Sequence, residues 1–332
     1  MKKWLIALSI AVGLLASGVV LVARTPRRKR LRYGGSFLIA LGVTTAAVST
    51  AKAIPRLLAG KMRHGVWWDE GEGSTFDSLD LWLNRAESAG IDNIAIMVDG
   101  QTDTPTEWEY TKWTPDGLAN FAQVLRRRGI DLTLVAWPKP NPSWIDGMLN
   151  GRPGAPSLPE LARDIGARAI EFDAEGGNWS SERVSGFGSL DEAGEALHEG
   201  LRPYRPRLRV GTTVHGGRMS PSLTLDSDYV AVQAYSHFDN GARPWGHEYG
   251  PGNMQRRGAE KVRELDGPAL VMGLAAWDQE YPDHTPDEAM RVAYNASESL
   301  GAQEVRYWSA KWLLGHRMDQ TPYGLPFLRT KA

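Results

Sequence analysis

The chain has 332 residues, with 38 Lys or Arg against 39 Asp or Glu and no cysteine. Disulfides, thiolate metal sites and cysteine nucleophiles are therefore excluded. Residues 1–60 hold ten Lys or Arg and no Asp or Glu, which leaves 28 basic against 39 acidic side chains in the rest, a formal charge of −11. An acidic body lacks the basic patches that displace counterions from a phosphate backbone, so nucleic acid is not an expected partner.

The first element is a leader. Leu5 to Ala23 is an almost unbroken apolar run of 19 residues, long enough to cross a bilayer. Arg24, Arg27, Arg28, Lys29, Arg30 and Arg32 come after it, and a weaker apolar stretch runs from Ser36 to Val48, ending in Ala51-Lys52-Ala53. In one reading residues 5–23 and 36–50 form a membrane hairpin whose basic turn is cytoplasmic, placing the rest of the chain outside. In another, residues 27–53 form a signal peptide with a basic start, an apolar centre and an Ala-x-Ala end. Both put the body of the protein beyond the membrane. A single span through residues 5–23 would instead keep it in the cytoplasm.

Residues 61–332 alternate short apolar runs with amphipathic segments. The runs Gly65–Trp68, Asn93–Val98, Asp131–Trp137, Ala169–Asp173, Leu208–Val214, Tyr229–Ala234, Ala269–Leu274 and Val305–Trp308 read as eight buried parallel strands. Between them, Thr114-Pro115-Asp116, Ser157-Leu158-Pro159-Glu160, Ser189-Leu190-Asp191-Glu192 and Thr285-Pro286-Asp287-Glu288 are helix starts. Gly90, Gly129 and Gly301 are helix stops that lead into the next strand. Eight such units in 272 residues predict a (β/α)8 TIM-type barrel, which needs roughly 250. No Gly-x-Gly-x-x-Gly or Walker-type loop follows any strand, and no His pair has ligand spacing, so neither cofactor nor metal is expected.

In a barrel the chemistry collects at the carboxyl ends of the strands. There the fourth strand reads Glu171-Phe172-Asp173-Ala174-Glu175. Alternation points Glu171, Asp173 and Glu175 together toward the barrel axis. Three crowded carboxylates repel one another, which favours holding a proton in the column. A carboxylic acid still protonated near neutral pH is what cleavage of a glycosidic bond requires. The alternative is a structural network in which a cation such as Arg306 neutralises the column. Trp67, Trp68, Trp137, Trp179, Trp277 and Trp308 fall at or just past strand ends, where indole faces can stack on sugars. Asp69, Asp99, Gln233, Asp278 and Gln279 map to the same face, and His64, His215 and His237 lie near strand ends.

Glu171-Phe-Asp173-Ala-Glu175 resembles the Asp-x-Asp-x-Glu signature of family-18 glycoside hydrolases, the chitinase-like barrels. Val232-Gln233-Ala234-Tyr235 resembles that family's Met-x-Tyr segment, and Trp308 matches the Trp that floors its sugar site. The resemblance implies that Glu175 protonates the leaving oxygen and that Asp173 orients the substrate's 2-acetamido group for attack on the anomeric carbon. Tyr235 would hydrogen-bond that group, Trp308 would stack under the ring, and Glu171 completes the acidic set. Asp173-x-Glu175 equally resembles the Asp-x-Glu pair of family-25 lysozymes, with Asp69 as the first-strand acid. The expected function is a retaining glycoside hydrolase of peptidoglycan or a chitin-like polymer. Its substrate contacts would come from Asp69, Trp67, Asp99, Trp137, Gln233, Trp277 and Trp308. The alternatives are a non-catalytic glycan-binding barrel and a structural membrane protein of an envelope or virion.

Overall fold

The eight apolar runs form eight parallel strands: β1 (Arg63–Trp68), β2 (Asn93–Met97), β3 (Asp131–Ala136), β4 (Ala169–Asp173), β5 (Arg209–His215), β6 (Tyr229–Gln233), β7 (Ala269–Ala275) and β8 (Glu304–Trp308). Each pairs with the next in chain order, and β1 pairs with β8, so the sheet closes into a barrel. This is a computed structural model, and it describes residues 62–68, 79–99, 108–174, 179–205, 207–215, 221–224, 226–235, 252–265, 267–276 and 286–314. Contacts divide the chain into residues 1–61 and 62–332. The expected membrane segments lie outside the described residues, among which no helix is long and apolar enough to cross a membrane.

The connections are helical. Among the described residues they are α1 (Leu79–Ser88), α2 (Pro115–Arg127), α3 (Pro142–Asn150), α4 (Leu158–Ile165), α5 (Leu190–Leu201), α6 (Pro221–Thr224), α7 (Asn253–Arg263), α8 (Pro286–Ser299) and α9 (Ala310–Leu314). Three of the expected starts carry their caps: Thr114 accepts from the Gly117 N–H at 3.1 Å, Ser157 from Glu160 at 3.4 Å and Ser189 from Glu192 at 3.2 Å. The start at Thr285 lies outside the described residues. Helix α3 is an addition to the expected pattern. Its Asn141 cap accepts from the Ser143 and Trp144 N–H groups, with Pro142 in the first turn.

Because the strands are covered on both faces, they build two cores. Outward side chains such as Val66, Ile94, Leu134, Phe172 and Val230 join the helices in a large aliphatic and aromatic shell. Inward side chains make a smaller core of Trp67, Ala95, Val135, Ala169, Tyr229, Ala231, Tyr235 and Val271. Large inward groups fit only because glycines face them. A Cβ at Gly211 would lie 2.1 Å from the Tyr229 ring, one at Gly65 2.6 Å from Glu304, and one at Gly273 3.0 Å from the Trp67 ring.

Candidate active site

The inward column of β4 begins at Ala169 and continues through Glu171 to Asp173. Register sets Glu171 beside Val135 of β3 and Gly211 of β5, and Asp173 beside Thr213. Glu171 is fully buried, and every donor it meets comes from another strand. Its Oε1 accepts from the Trp67 indole N–H at 3.0 Å and the Thr213 hydroxyl at 2.5 Å. Its Oε2 accepts from the Tyr229 hydroxyl at 2.8 Å and from Arg306 Nη1. A carboxylate offers about four lone-pair positions, and these donors occupy them all.

Arg306 is itself 1% exposed and is shared between two carboxylates. Besides Glu171 it pairs with Glu304, whose Oε1 lies 2.9 Å from Nη2 and 3.0 Å from Nε. The same oxygen accepts from Asn93 Nδ2 at 2.8 Å, and Asn93 Oδ1 accepts from the Thr133 hydroxyl at 3.1 Å. The guanidinium also lies over the Trp67 ring, 5.0 Å from its centroid, and 5.9 Å from that of Tyr229. Burial acts to lower the Arg306 pKa, but Glu171 and Glu304 outweigh it and hold the group well above its ordinary value. Burial, reinforced by the Glu171 charge, raises the Tyr229 hydroxyl well above a normal tyrosine, so it remains a donor. The network foreseen as the alternative fate of the column thus exists at its base, around Glu171.

Asp173 is the next inward carboxylate and is 8% exposed. Around it at the carboxyl ends stand other expected site residues. Asp99, just past β2, accepts the Trp137 backbone N–H at 2.8 Å, which ties the ends of β2 and β3 together. The Trp137 indole N–H is buried and has no hydrogen-bond partner among the described residues. Gln233 and Tyr235 are buried at the end of β6, Tyr235 within the inner core. Trp308 packs against that core, its ring 6.3 Å from the Trp67 ring and tilted by 58°. The Trp308–Ser309 peptide bond is cis. Glu175, Asp69, Trp277, Asp278, Gln279 and His237 lie outside the described residues.

Three residues expected near this face belong elsewhere. Trp68 comes directly after the inward Trp67 and so points outward, into Trp82, Phe121 and Trp113 at centroid distances of 4.3, 5.2 and 6.1 Å. Trp179 is buried in the same outer shell. His64 sits near the start of β1, stacked on Tyr294 at 5.4 Å. The sequence reading missed Thr213, Tyr229, Asn93 and Glu304. Polar side chains at alternate positions of otherwise apolar strands were the available signal. Among the described residues, no group of three His, Asp or Glu side chains could hold a metal ion.

No protein-family model matches the chain, and no curated protein is similar to it in sequence. Solved structures share its fold. The catalytic domain of a hyperthermophilic chitinase from Pyrococcus furiosus superposes with a TM-score of 0.55 at 11% identity, over 82% of this chain and 95% of that one. A GH18 chitinase from Pseudoalteromonas aurantia gives 0.51 at 10% identity, over 75% and 97%. The xylanase and α-amylase inhibitor protein XAIP-I, solved with trehalose, gives 0.50 at 15% identity, over 76% and 94%. The fold is therefore one that these chitinases and this inhibitor protein share, as the family-18 resemblance implies for the barrel.

Proposed function

We propose that the chain is a retaining glycoside hydrolase acting on an N-acetylated polysaccharide, peptidoglycan or chitin-like. The observation that carries this reading is the division of labour along β4. Glu171 is consumed by the barrel interior, whereas Asp173 is the next inward carboxylate at the carboxyl end of β4. Glu175, two residues further on, gives its proton to the glycosidic oxygen as the C–O bond breaks. Asp173 orients the 2-acetamido group, whose carbonyl oxygen bonds to the anomeric carbon, and water then opens that ring with return of the proton. Tyr235 and Trp137 supply donors to the sugar, and Trp308 a stacking face. The charge pattern of the leader supports placing this barrel outside the cytoplasm, tethered through a hairpin of residues 5–23 and 36–50 with its basic turn on the cytoplasmic side.

A non-catalytic glycan-binding barrel is the second reading, favoured by an inhibitor protein solved with trehalose among the fold neighbours. The full chain and Glu175→Gln, incubated with peptidoglycan and with chitin oligosaccharides, separate the two. Release of reducing ends by the wild type, lowered about 10²–10⁴-fold in the variant, is expected of the enzyme. Folded protein that binds oligosaccharide without turnover would replace it with the binding reading.

A further inference from the structure

The carboxyl end of β3 carries two donors that the fold leaves unused, and the inference drawn from them rests on the glycosidase reading of that face. Trp137 follows β3 directly and takes the next inward position after Val135, the partner of Glu171. Asp99 holds it from the end of β2 by accepting its backbone N–H at 2.8 Å. The side chain is 8% exposed, yet its indole N–H meets no acceptor among the described residues. Buried N–H groups are nearly always paired, so an unpaired one at this end of a barrel is set for an acceptor from outside the chain. Lys139 lies two residues on, past Pro138, and is half-buried. Among the described residues its ammonium has no hydrogen-bond or ion-pair partner. The backbone around it is fixed. The Lys139 carbonyl accepts from the Asn141 N–H at 2.8 Å as the chain turns into α3, and the Pro140 carbonyl accepts from Ser185, in the β4–α5 connection, at 3.1 Å.

The charges that act on the ammonium are Asp99, Glu109 and Arg183. Burial brings Lys139 below the usual lysine value; Arg183 adds to this, and the two carboxylates oppose it without reversing it. Glu109 is itself engaged by Arg152 at 3.4 Å. Lys139, Arg152 and Arg183 against Asp99 and Glu109 leave one positive charge in excess, on a body whose formal charge is −11. One excess charge suits a monoanion, because a second negative charge would meet Asp99 and Glu109. We propose that Lys139 and Trp137 form a recognition site for an N-acetylated sugar that bears one carboxylate, with Lys139 pairing to the carboxylate and the Trp137 N–H donating to a neutral oxygen of the same sugar. Residues two apart on an extended chain are about 7 Å apart, so one ring and its side arm reach both. The pairing is a charge-assisted hydrogen bond in a half-buried place, stronger than a bond between neutral groups. A neutral sugar leaves the ammonium unmet, so the site both attracts the acid and penalises its neutral analogue. Lys139 thereby selects a carboxylated, peptidoglycan-type glycan over chitin.

The test is calorimetric binding to the full chain in the Glu175→Gln background, with two tetrasaccharide probes. One is built of N-acetylglucosamine alone; the other alternates it with N-acetylmuramic acid, whose carboxylates are left free. The carboxylated probe is expected to bind about 10- to 100-fold more tightly. Lys139→Met is expected to abolish that ratio by weakening the carboxylated probe, and Lys139→Arg to restore most of it. Trp137→Phe should weaken both probes by a similar factor. Equal binding of the two probes, or a ratio that survives Lys139→Met, overturns the proposal. Wild-type kcat/KM values on the same pair need no variant to fold and should show the same preference. Turnover of both probes without preference rejects the carboxylate site and keeps the glycosidase reading. A Lys139-dependent binding preference without turnover in the wild type does the reverse.

Discussion

The two faces of the strands solve the burial of polar groups in opposite ways. Outward, in the shell between strands and helices, the polar side chains Thr212, Ser227 and His198 converge on one backbone acceptor. Thr212 and Ser227 hydroxyls both bond to the Leu223 carbonyl, at 3.2 and 2.7 Å, and His198 Nε2 reaches the same oxygen at 3.0 Å. Inward, the barrel buries full charges, Glu171, Arg306 and Glu304, and compensates them collectively. A glycine facing each large group creates the room, and the charges then need partners because water is excluded.

Removing the shared partner is the largest test of that contrast. Arg306→Met leaves two carboxylates buried without their cation, and a loss of about 3–5 kcal/mol in denaturant unfolding is expected. A loss below about 1 kcal/mol would mean that the interior tolerates charge as the surface does. Tyr229→Phe removes only one of the donors to Glu171 and keeps the ring that fills the space over Gly211. A cost of about 1–3 kcal/mol is expected for the unmet acceptor. The double variant should cost less than the sum, since both changes act on one carboxylate.

The same contrast explains what could be read from the sequence. All eight strands were legible, since strands covered on both faces are continuous apolar runs, and their ends shifted by at most two residues in the structure. The caps at Thr114, Ser157 and Ser189 were legible because capping is local. Of the partners of Glu171 only Arg306 was legible, as an alternative; Trp67, Thr213 and Tyr229 were not, because they lie 104, 42 and 58 residues away along the chain. The acidic run on β4 looks uniform until the barrel closes and brings Arg306 across to its lowest member. Trp67 and Trp68 teach the same point at shorter range. Adjacent residues of one type share a strand end in sequence, yet alternation sends one into the barrel and the other into the shell.

The smallest predicted effect lies in the shell and sharpens the comparison from the other side. His198 on α5 is 6% exposed, with Nε2 hydrogen-bonded to the Leu223 carbonyl and Nδ1 3.4 Å from the Arg205 guanidinium. Burial lowers its pKa, and the Arg205 charge adds to that; the Leu223 bond and the Asp226 and Asp228 charges oppose it without reversing the direction. Between the lowered folded value and the ordinary histidine value near 6.5, the unfolded chain binds the extra proton. Stability is therefore fully present above the unfolded value and falls as pH drops through it, with a slope no steeper than about 1.4 kcal/mol per pH unit for one proton. His198→Gln retains a donor for Leu223 but has no charge to gain. Urea unfolding of both proteins at about pH 7.5 and pH 5.5 should show the wild type losing stability relative to the variant on acidification. An unchanged difference would mean that His198 takes up its proton in the folded shell as readily as in the unfolded chain. The distinction between a neutral Leu223 cluster and a charged interior would then fail at that residue.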